Sequence, residues 1–313
     1  MEAEVLEALR PSPASLIADG TVGGGGHAAA LLRASAPTGR LVGCDRDGMA
    51  VEAATARLSE FAGRFEIRQG NFADLAGWLQ PESCDGVLLD LGVSSPQLDL
   101  PERGFSFQQD GPLDARMDQR QMLTAARLIA ETAEEELAGI FWRYGNEEQS
   151  RRMAREIARE RERRPLERTR QLADLIERIS PRAGRKTHPA TKVFQALRMA
   201  VNDEIGSLQR GLEAAVRILK PGGRLAVISF HSVEDRVVKE FGRRLSRDYE
   251  APGEVDVPEW RRPRPPLLRW VSRKALRPGE AELRANPRSR SARCRVLEKL
   301  RVQQEQGAAK DAL

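Results

Sequence analysis

The sequence predicts an α/β protein: one parallel sheet domain interrupted by an all-helical insertion. Three observations carry that reading. Short apolar runs alternate with helical patterns over roughly the first hundred residues, at the spacing of βαβ units. Strand-like segments then disappear until Leu197, leaving only helices and loops. A buried strand returns after Lys220-Pro221-Gly222-Gly223, so the sheet resumes. The expected division is 1–101 for the first part of the sheet domain, 102–197 for the insertion, 198–300 for the second part and 301–313 for a polar tail.

Each element has a local cause. Leu16-Ile17-Ala18 runs into Asp19-Gly20 as the first strand. A helix from Ala28 to Ser35 leads to the second strand, Leu41-Val42-Gly43-Cys44-Asp45. A helix from Met49 to Phe61 precedes the third, Phe65-Glu66-Ile67. A short amphipathic piece, Leu75–Leu79, leads to the fourth, Val87-Leu88-Leu89-Asp90. In the insertion, Thr132-Ala133-Glu134-Glu135 has the form of a capping box before Leu137, Ile140 and Phe141. Gly145 stops that helix. Ser150 to Arg164 is helical and mostly polar, with Met153 and Ile157 as a thin apolar stripe, and Pro165 ends it. Thr169 stands as the cap of a helix whose Leu172, Leu175, Ile176 and Ile179 share a face, closed by Pro181. From Thr187 to Leu219 apolar residues recur at helical steps, with Gly206 and Gly211 as weak points in a straight helix. Leu225–Phe230 resumes the sheet. Leu267–Ala275 and Ala292–Leu300 form a final antiparallel edge pair, and Pro252–Pro266 is a Pro- and Arg-rich loop.

Composition narrows the function. The 313 residues carry 51 Lys+Arg against 46 Asp+Glu, a formal charge of +5. Only seven of the bases are lysines. Guanidinium forks suit phosphate, which admits nucleic acid as a partner. The simpler reading is a GC-rich genome with arginines on solvated helix faces. No stretch approaches the ~20 apolar residues of a membrane helix. The acidic start Met1-Glu2-Ala3-Glu4 is not that of a signal peptide. Cys44, Cys84 and Cys294 lack metal-ligand spacing, so neither a disulfide framework nor a metal site is expected, and a cytoplasmic location is.

Three motifs carry chemistry. Asp19-Gly20-Thr21-Val22-Gly23-Gly24-Gly25-Gly26-His27 joins the first strand to the first helix, where glycines let the backbone approach a ligand. Asp45, ending the second strand, can accept hydrogen bonds from both ribose hydroxyls of a nucleoside. Together they indicate an adenosine-containing cofactor. A dinucleotide would use GxGxxG spacing, which Gly20, Gly23 and Gly24 match only loosely. An acid before the glycines suits a cationic ligand without phosphates, which favours S-adenosylmethionine over a nicotinamide dinucleotide. Phe72 could lie beside the adenine. Asp90-Leu91-Gly92-Val93-Ser94-Ser95-Pro96-Gln97, at the end of the fourth strand, places Asp90 in the same crevice. Amino-methyltransferases commonly hold Asp/Asn-Pro-Pro-aromatic there, to accept hydrogen bonds from an exocyclic amine, and this chain lacks that tetrapeptide. Ser229-Phe230-His231-Ser232-Val233-Glu234-Asp235-Arg236 follows the resumed strand. His231 is a candidate to accept a proton or bind a base edge, while Ser232 could simply cap a helix with Asp235. Arg151, Arg152, Arg155, Arg159, Arg163 and Arg164 crowd one insertion helix among glutamates, and 182–192 is a less acidic candidate for backbone contact.

These blocks, with Arg103–Met117 (RGFSFQQDGPLDARM), His188–Asn202 (HPATKVFQALRMAVN) and Asn286–Ser291 (NPRSRS), together resemble the RsmH family, also called MraW. The resemblance spans nearly the whole chain in order. It implies a class I (Rossmann-like) methyltransferase sheet with an inserted helical domain that helps bind substrate. The implied activity is S-adenosylmethionine-dependent methylation of a cytidine N4 in bacterial 16S rRNA, in the decoding region near the P site, within the small ribosomal subunit. No membrane and no metal is implied. The family's cofactor pattern falls on Gly25, Gly26, His27, Asp45, Phe72, Asp90 and Gln97. Asp90, His231 and Ser94 are the catalytic candidates. The family's usual HxPVLLxEVL-like opening is reduced here to Glu4-Val5-Leu6-Glu7-Ala8-Leu9. Competing readings are an S-adenosylmethionine enzyme with another substrate, a non-catalytic ribosome-assembly factor, and a nicotinamide-dependent oxidoreductase.

Overall fold

The computed structural model describes residues 1–182, 184, 187–252 and 256–301. Helix α1 (Glu2–Leu9) precedes β1 (Leu16–Asp19), α2 (Gly26–Ala34), β2 (Arg40–Asp45), α3 (Gly48–Arg57), β3 (Phe65–Gln69), α4 (Leu75–Trp78), β4 (Cys84–Asp90) and α5 (Ser95–Asp99). Five more helices follow: α6 (Ala125–Glu131), α7 (Glu134–Gly145), α8 (Ser150–Arg163), α9 (Thr169–Ile179) and α10 (Ala190–Val201). Then come α11 (Glu204–Ile218), β5 (Leu219–Ser229), α12 (Ser232–Leu245), β6 (Tyr249–Glu250), β7 (Arg262–Pro263), β8 (Leu268–Trp270), α13 (Glu280–Ala285) and β9 (Arg293–Lys299). No helix among the described residues is long and apolar enough to cross a membrane.

Seven strands form one sheet in the order β3-β2-β1-β4-β5-β9-β8. The first five are mutually parallel, and β9 runs antiparallel to both its neighbours. Period-2 alternation divides the core. Val87 and Leu89 of β4 face one layer with Leu208, Leu212 and Phe241. Leu88 faces the other, with Val5, Leu32 and Leu58. The chain leaves β1 toward β2 on one side and returns to β4 on the other. That reversal opens a crevice at the carboxyl ends of β1 and β4.

The helices α6–α10 enclose a separate apolar cluster that includes Phe141, Ile157, Ile176 and Leu197. Asn202 ties its entry and exit together. Its Nδ2 donates to the carbonyl of Ala115 at 2.8 Å, and its Oδ1 accepts the Met117 N–H at 2.8 Å. Arg46, beyond β2, donates to the Asn202 carbonyl. A second tie is buried. Arg103 Nη1 lies 2.7 Å from Asp47 Oδ2, and Arg103 Nη2 reaches the carbonyls of Arg116 and Met117.

The structure corrects several local expectations. The pattern from Thr187 to Leu219 is two helices, broken at Asn202 and Asp203 rather than at the glycines, with Asp203 at φ 45°. Gly211 instead makes room for Phe72: a Cβ there would lie 2.3 Å from the ring. Thr132 does not cap α7. It ends α6, and its carbonyl accepts Arg161. Thr169 is the first residue of α9, and its Oγ1 accepts the Gly111 N–H at 3.0 Å. The final antiparallel pair does end the sheet, with the three-residue β8 outermost and β9 between it and β5. Within Pro252–Pro266, Arg262–Pro263 pairs with Tyr249–Glu250 as a short ribbon. Arg185, Lys186 and the tail from 302 onward lie outside the described residues.

Candidate functional site

The glycine segment turns sharply between β1 and α2. Gly25 sits at φ 77° as the N-cap of α2, a left-handed conformation in which a side chain would be strained. Gly20 is pressed against Leu89 and Phe72, where a Cβ would approach to 2.5 and 2.7 Å. Gly20, Thr21 and Gly23 line the crevice, whereas Gly25, Gly26 and His27 do not.

Asp45, Phe72, Asp90, Ser94 and Gln97 all line the same cavity. Asp45 is oriented by two backbone donors. Gly23 N–H binds Oδ2 and Asp47 N–H binds Oδ1, each at 2.9 Å. Both oxygens keep a lone pair for a further donor. Burial raises its carboxyl above the ordinary value. Gln97, 4% exposed, closes a capping box with Ser94 and donates from Nε2 to Asp47 Oδ2 at 2.9 Å. Asp47 thus joins Gln97 to Arg103, a connection with no local signature in the sequence.

Asp90 ends β4. Its backbone N–H donates to Thr21 Oγ1 at 2.6 Å, and its Oδ2 lies 3.4 Å from His27 Nε2. Its Oδ1 is buried and has no hydrogen-bond partner among the described residues. Behind the loop, Asp19 is fully buried. Burial pushes its carboxyl up to about 7, against the Thr21 N–H that favours the anion.

His231 takes the role expected of Ser232. Its Nδ1 accepts the Glu234 N–H and caps α12. Ser232 Oγ meets Asn146 Nδ2 at 3.3 Å, joining α7 to this rim, and Asp235 pairs with Arg293 and Arg295 instead of closing a box. His231 itself does not line the cavity; its neighbours Phe230 and Glu234 do. His231 Nε2 lies 3.0 Å from Glu234 Oε1. Burial would raise the Glu234 carboxyl, but His231 and Arg198 outweigh it and hold it low. Glu204, His231 and Glu234 bring one ligand-type atom each within 4.8 Å of one another. Arg198 already engages both Glu204 oxygens at 2.7 and 2.8 Å, and Glu234 Oε2 accepts the Phe230 N–H. Ion pairing and capping therefore account for this cluster.

The cavity wall also includes Met117, Glu204, Ser207 and Leu208. Sequence reasoning missed these four, because they come from the insertion boundary and α11, far from any glycine or strand-end motif. The chemistry of the set fits S-adenosylmethionine. A strand-tip acid with a lone pair free on each oxygen, beside an aromatic ring in one cavity, suits an adenosine-bearing ligand. Cys44, Cys84 and Cys294 are buried, and burial raises all three thiols, Cys84 to about 11 and Cys294 to about 12. None has nucleophilic character.

Of the arginines of α8, Arg155 pairs with Glu134 and Arg159 with Glu156, and just past the helix Arg164 pairs with Glu160. Such exposed pairs form a solvated face. Arg151, Arg152 and Arg163 are exposed without an ion pair among the described residues, Arg152 reaching only the Gln149 amide. His188 turns inward against Phe107, ring centroids 4.7 Å apart, rather than outward.

A profile of the MraW methylase family matches residues 1–300. A curated relative from Symbiobacterium thermophilum, a ribosomal RNA small subunit methyltransferase H, is 48% identical over 307 residues, covering 96% of each chain. One of the same name from Syntrophotalea carbinolica is 50% identical over 305 residues, again covering 96% of each. A crystal structure of an rRNA methylase from Streptococcus thermophilus aligns at 12% identity with a TM-score of 0.44, over 96% of this chain and 95% of that one.

Proposed function

Because the chain belongs to the MraW methylase family, we propose that it transfers a methyl group from S-adenosylmethionine to the exocyclic N4 of a cytidine. The target is in the decoding region of bacterial 16S rRNA, near the P site, presented by the small ribosomal subunit in the cytoplasm. The observation that carries this reading is Asp90. It lines the same cavity as Asp45, Phe72 and Gln97, and its Oδ1 has no hydrogen-bond partner among the described residues.

When bound, the cofactor supplies an electrophilic methyl on a sulfonium. The protein's own residues do the rest. Asp45 accepts the ribose hydroxyls, its carboxylate already oriented by Gly23 and Asp47. Phe72, packed on Gly211, flanks the adenine. Gln97 closes the wall from α5, and the Gly23–His27 segment supplies the turn. The Asp90 carboxylate accepts an N–H of the flipped cytosine's amine, orients its lone pair and receives the proton it sheds. Ser94 Oγ accepts the Gln97 N–H and keeps its own proton to donate into the cavity. His231 acts through Glu234 rather than by touching the base. Alignment at this rim, rather than a covalent adduct, accounts for the rate. The insertion, joined to the rim through Asn146 and Ser232, supports the RNA.

The test is methyl transfer to small subunits from a strain lacking this enzyme. Labelled subunits that yield N4-methylated cytidine on nucleoside analysis are expected. Unlabelled subunits, with cofactor binding measured in the same preparation, would overturn the enzymatic reading.

A further inference from the structure

Asp19, His27 and Asp90 come from three elements and meet behind the cavity. Each keeps one buried polar atom with no hydrogen-bond partner among the described residues: Asp19 Oδ2, His27 Nδ1 and Asp90 Oδ1. Only Asp90 lines the cavity. His27, in the first turn of α2, stands behind it with Nε2 3.4 Å from Asp90 Oδ2. The family pattern puts His27 with the cofactor; in the structure its side chain pairs with Asp90, which lines the cavity.

We propose that His27 is a positioning residue for the transfer, holding Asp90 Oδ2 so that the carboxylate keeps a single orientation at the cavity wall toward the target amine. A strand-end carboxylate can rotate about χ2 and offer either oxygen. A reacting amine has to be held within ~0.5 Å and 10–20° of its productive geometry. One oxygen fixed by an N–H donor, with the backbone N–H of the same residue fixed on Thr21 Oγ1, removes that freedom. The groups facing His27 are Asp90 from β4, Asp19 from β1, the N-terminal ammonium ahead of α1 and Glu282 from α13. Burial would lower its imidazole, and the ammonium adds to that. The Asp90 hydrogen bond and the charges of Asp90 and Asp19 outweigh both, so it titrates above its ordinary value.

This inference rests on the methyl-transfer reading, but its first test does not need activity. The chain has three histidines, so their ring signals can be followed separately by NMR. In folded Asp90→Asn the His27 midpoint is expected to fall. A His27 midpoint that does not move would overturn the proposal. The second test separates affinity from rate. In His27→Leu, cofactor affinity by calorimetry should stay within about threefold, while single-turnover transfer at saturating cofactor falls on the order of 100-fold. His27→Gln, which keeps an N–H donor, should recover much of that loss. Weakened cofactor affinity with the rate preserved would assign His27 to the cofactor and overturn the proposal, as would no change in either. If the parent protein methylates no RNA, the reading of function fails while the NMR result still stands.

Discussion

At Asp19 a carboxyl group is fully enclosed, yet only one of its oxygens has a donor among the described residues. Its folded value of about 7 stands against 3.8 in the open chain. Between those values the folded state keeps a proton that the unfolded state has shed. The stability it contributes is therefore present below about pH 4 and is lost as pH rises through 7, on the order of 4 kcal/mol. Asp19→Asn should remove this slope: ligand-free melting temperature should fall less between pH 5 and pH 8 than in the parent. At Asp45 the expectation concerns binding. Asp45→Ala should weaken S-adenosylmethionine at least tenfold by calorimetry, since hydrogen bonds to a charged group contribute about 1.5–3 kcal/mol. Unchanged affinity would reject the ribose assignment. Asp45 and Asp90 were legible in sequence because both end apolar runs at strand tips. Gln97 was legible only through family resemblance. Asp47, Arg103 and Glu204 were not legible, since what places them is contact across the fold and not a local pattern.

The elements show the same division. β1 to β5 were recoverable because parallel buried strands are short apolar runs bounded by turn residues. The break between α10 and α11 was not. Its cause is Asn202, an ordinary polar residue in a helical pattern until its partners are seen. The side chain satisfies the Ala115 and Arg198 carbonyls and the Met117 N–H, all from one fully buried position. Asn202→Ala leaves those groups without their donor or acceptor. It should cost about 2–4 kcal/mol in urea denaturation, at about 1–3 kcal/mol for each buried group left unsatisfied. Asn202→Asp should be no better, because a carboxylate cannot donate to the two carbonyls. The Thr132 capping box failed for a related reason: a helix-start pattern carries no record that the residue already ends the helix before it, where its carbonyl accepts Arg161.

In the whole molecule the sheet and the α6–α10 cluster are locked by Arg103 and Asp47, 2% and 4% exposed. Removing one partner of a buried pair strands the other charge, so Arg103→Met should destabilise by about 3–5 kcal/mol. The measurement is the urea midpoint, with a matched loss of cofactor affinity because Asp47 also holds Gln97. A loss no larger than about 1 kcal/mol would reduce the bridge to an exposed ion pair. Strand order has a consequence in time as well. β4 lies at the middle of the sheet, and its partner β5 comes roughly 130 residues later in the chain. At about 5–20 residues per second of synthesis, a nascent chain waits on the order of ten seconds with β4 as a bare edge. During that wait the helices with their own apolar cluster are emerging, while the half-sheet remains open to wrong pairing. The vulnerable moment in this protein's life is therefore the interval between its fourth and fifth strands, and that is where a nascent-chain chaperone would be needed.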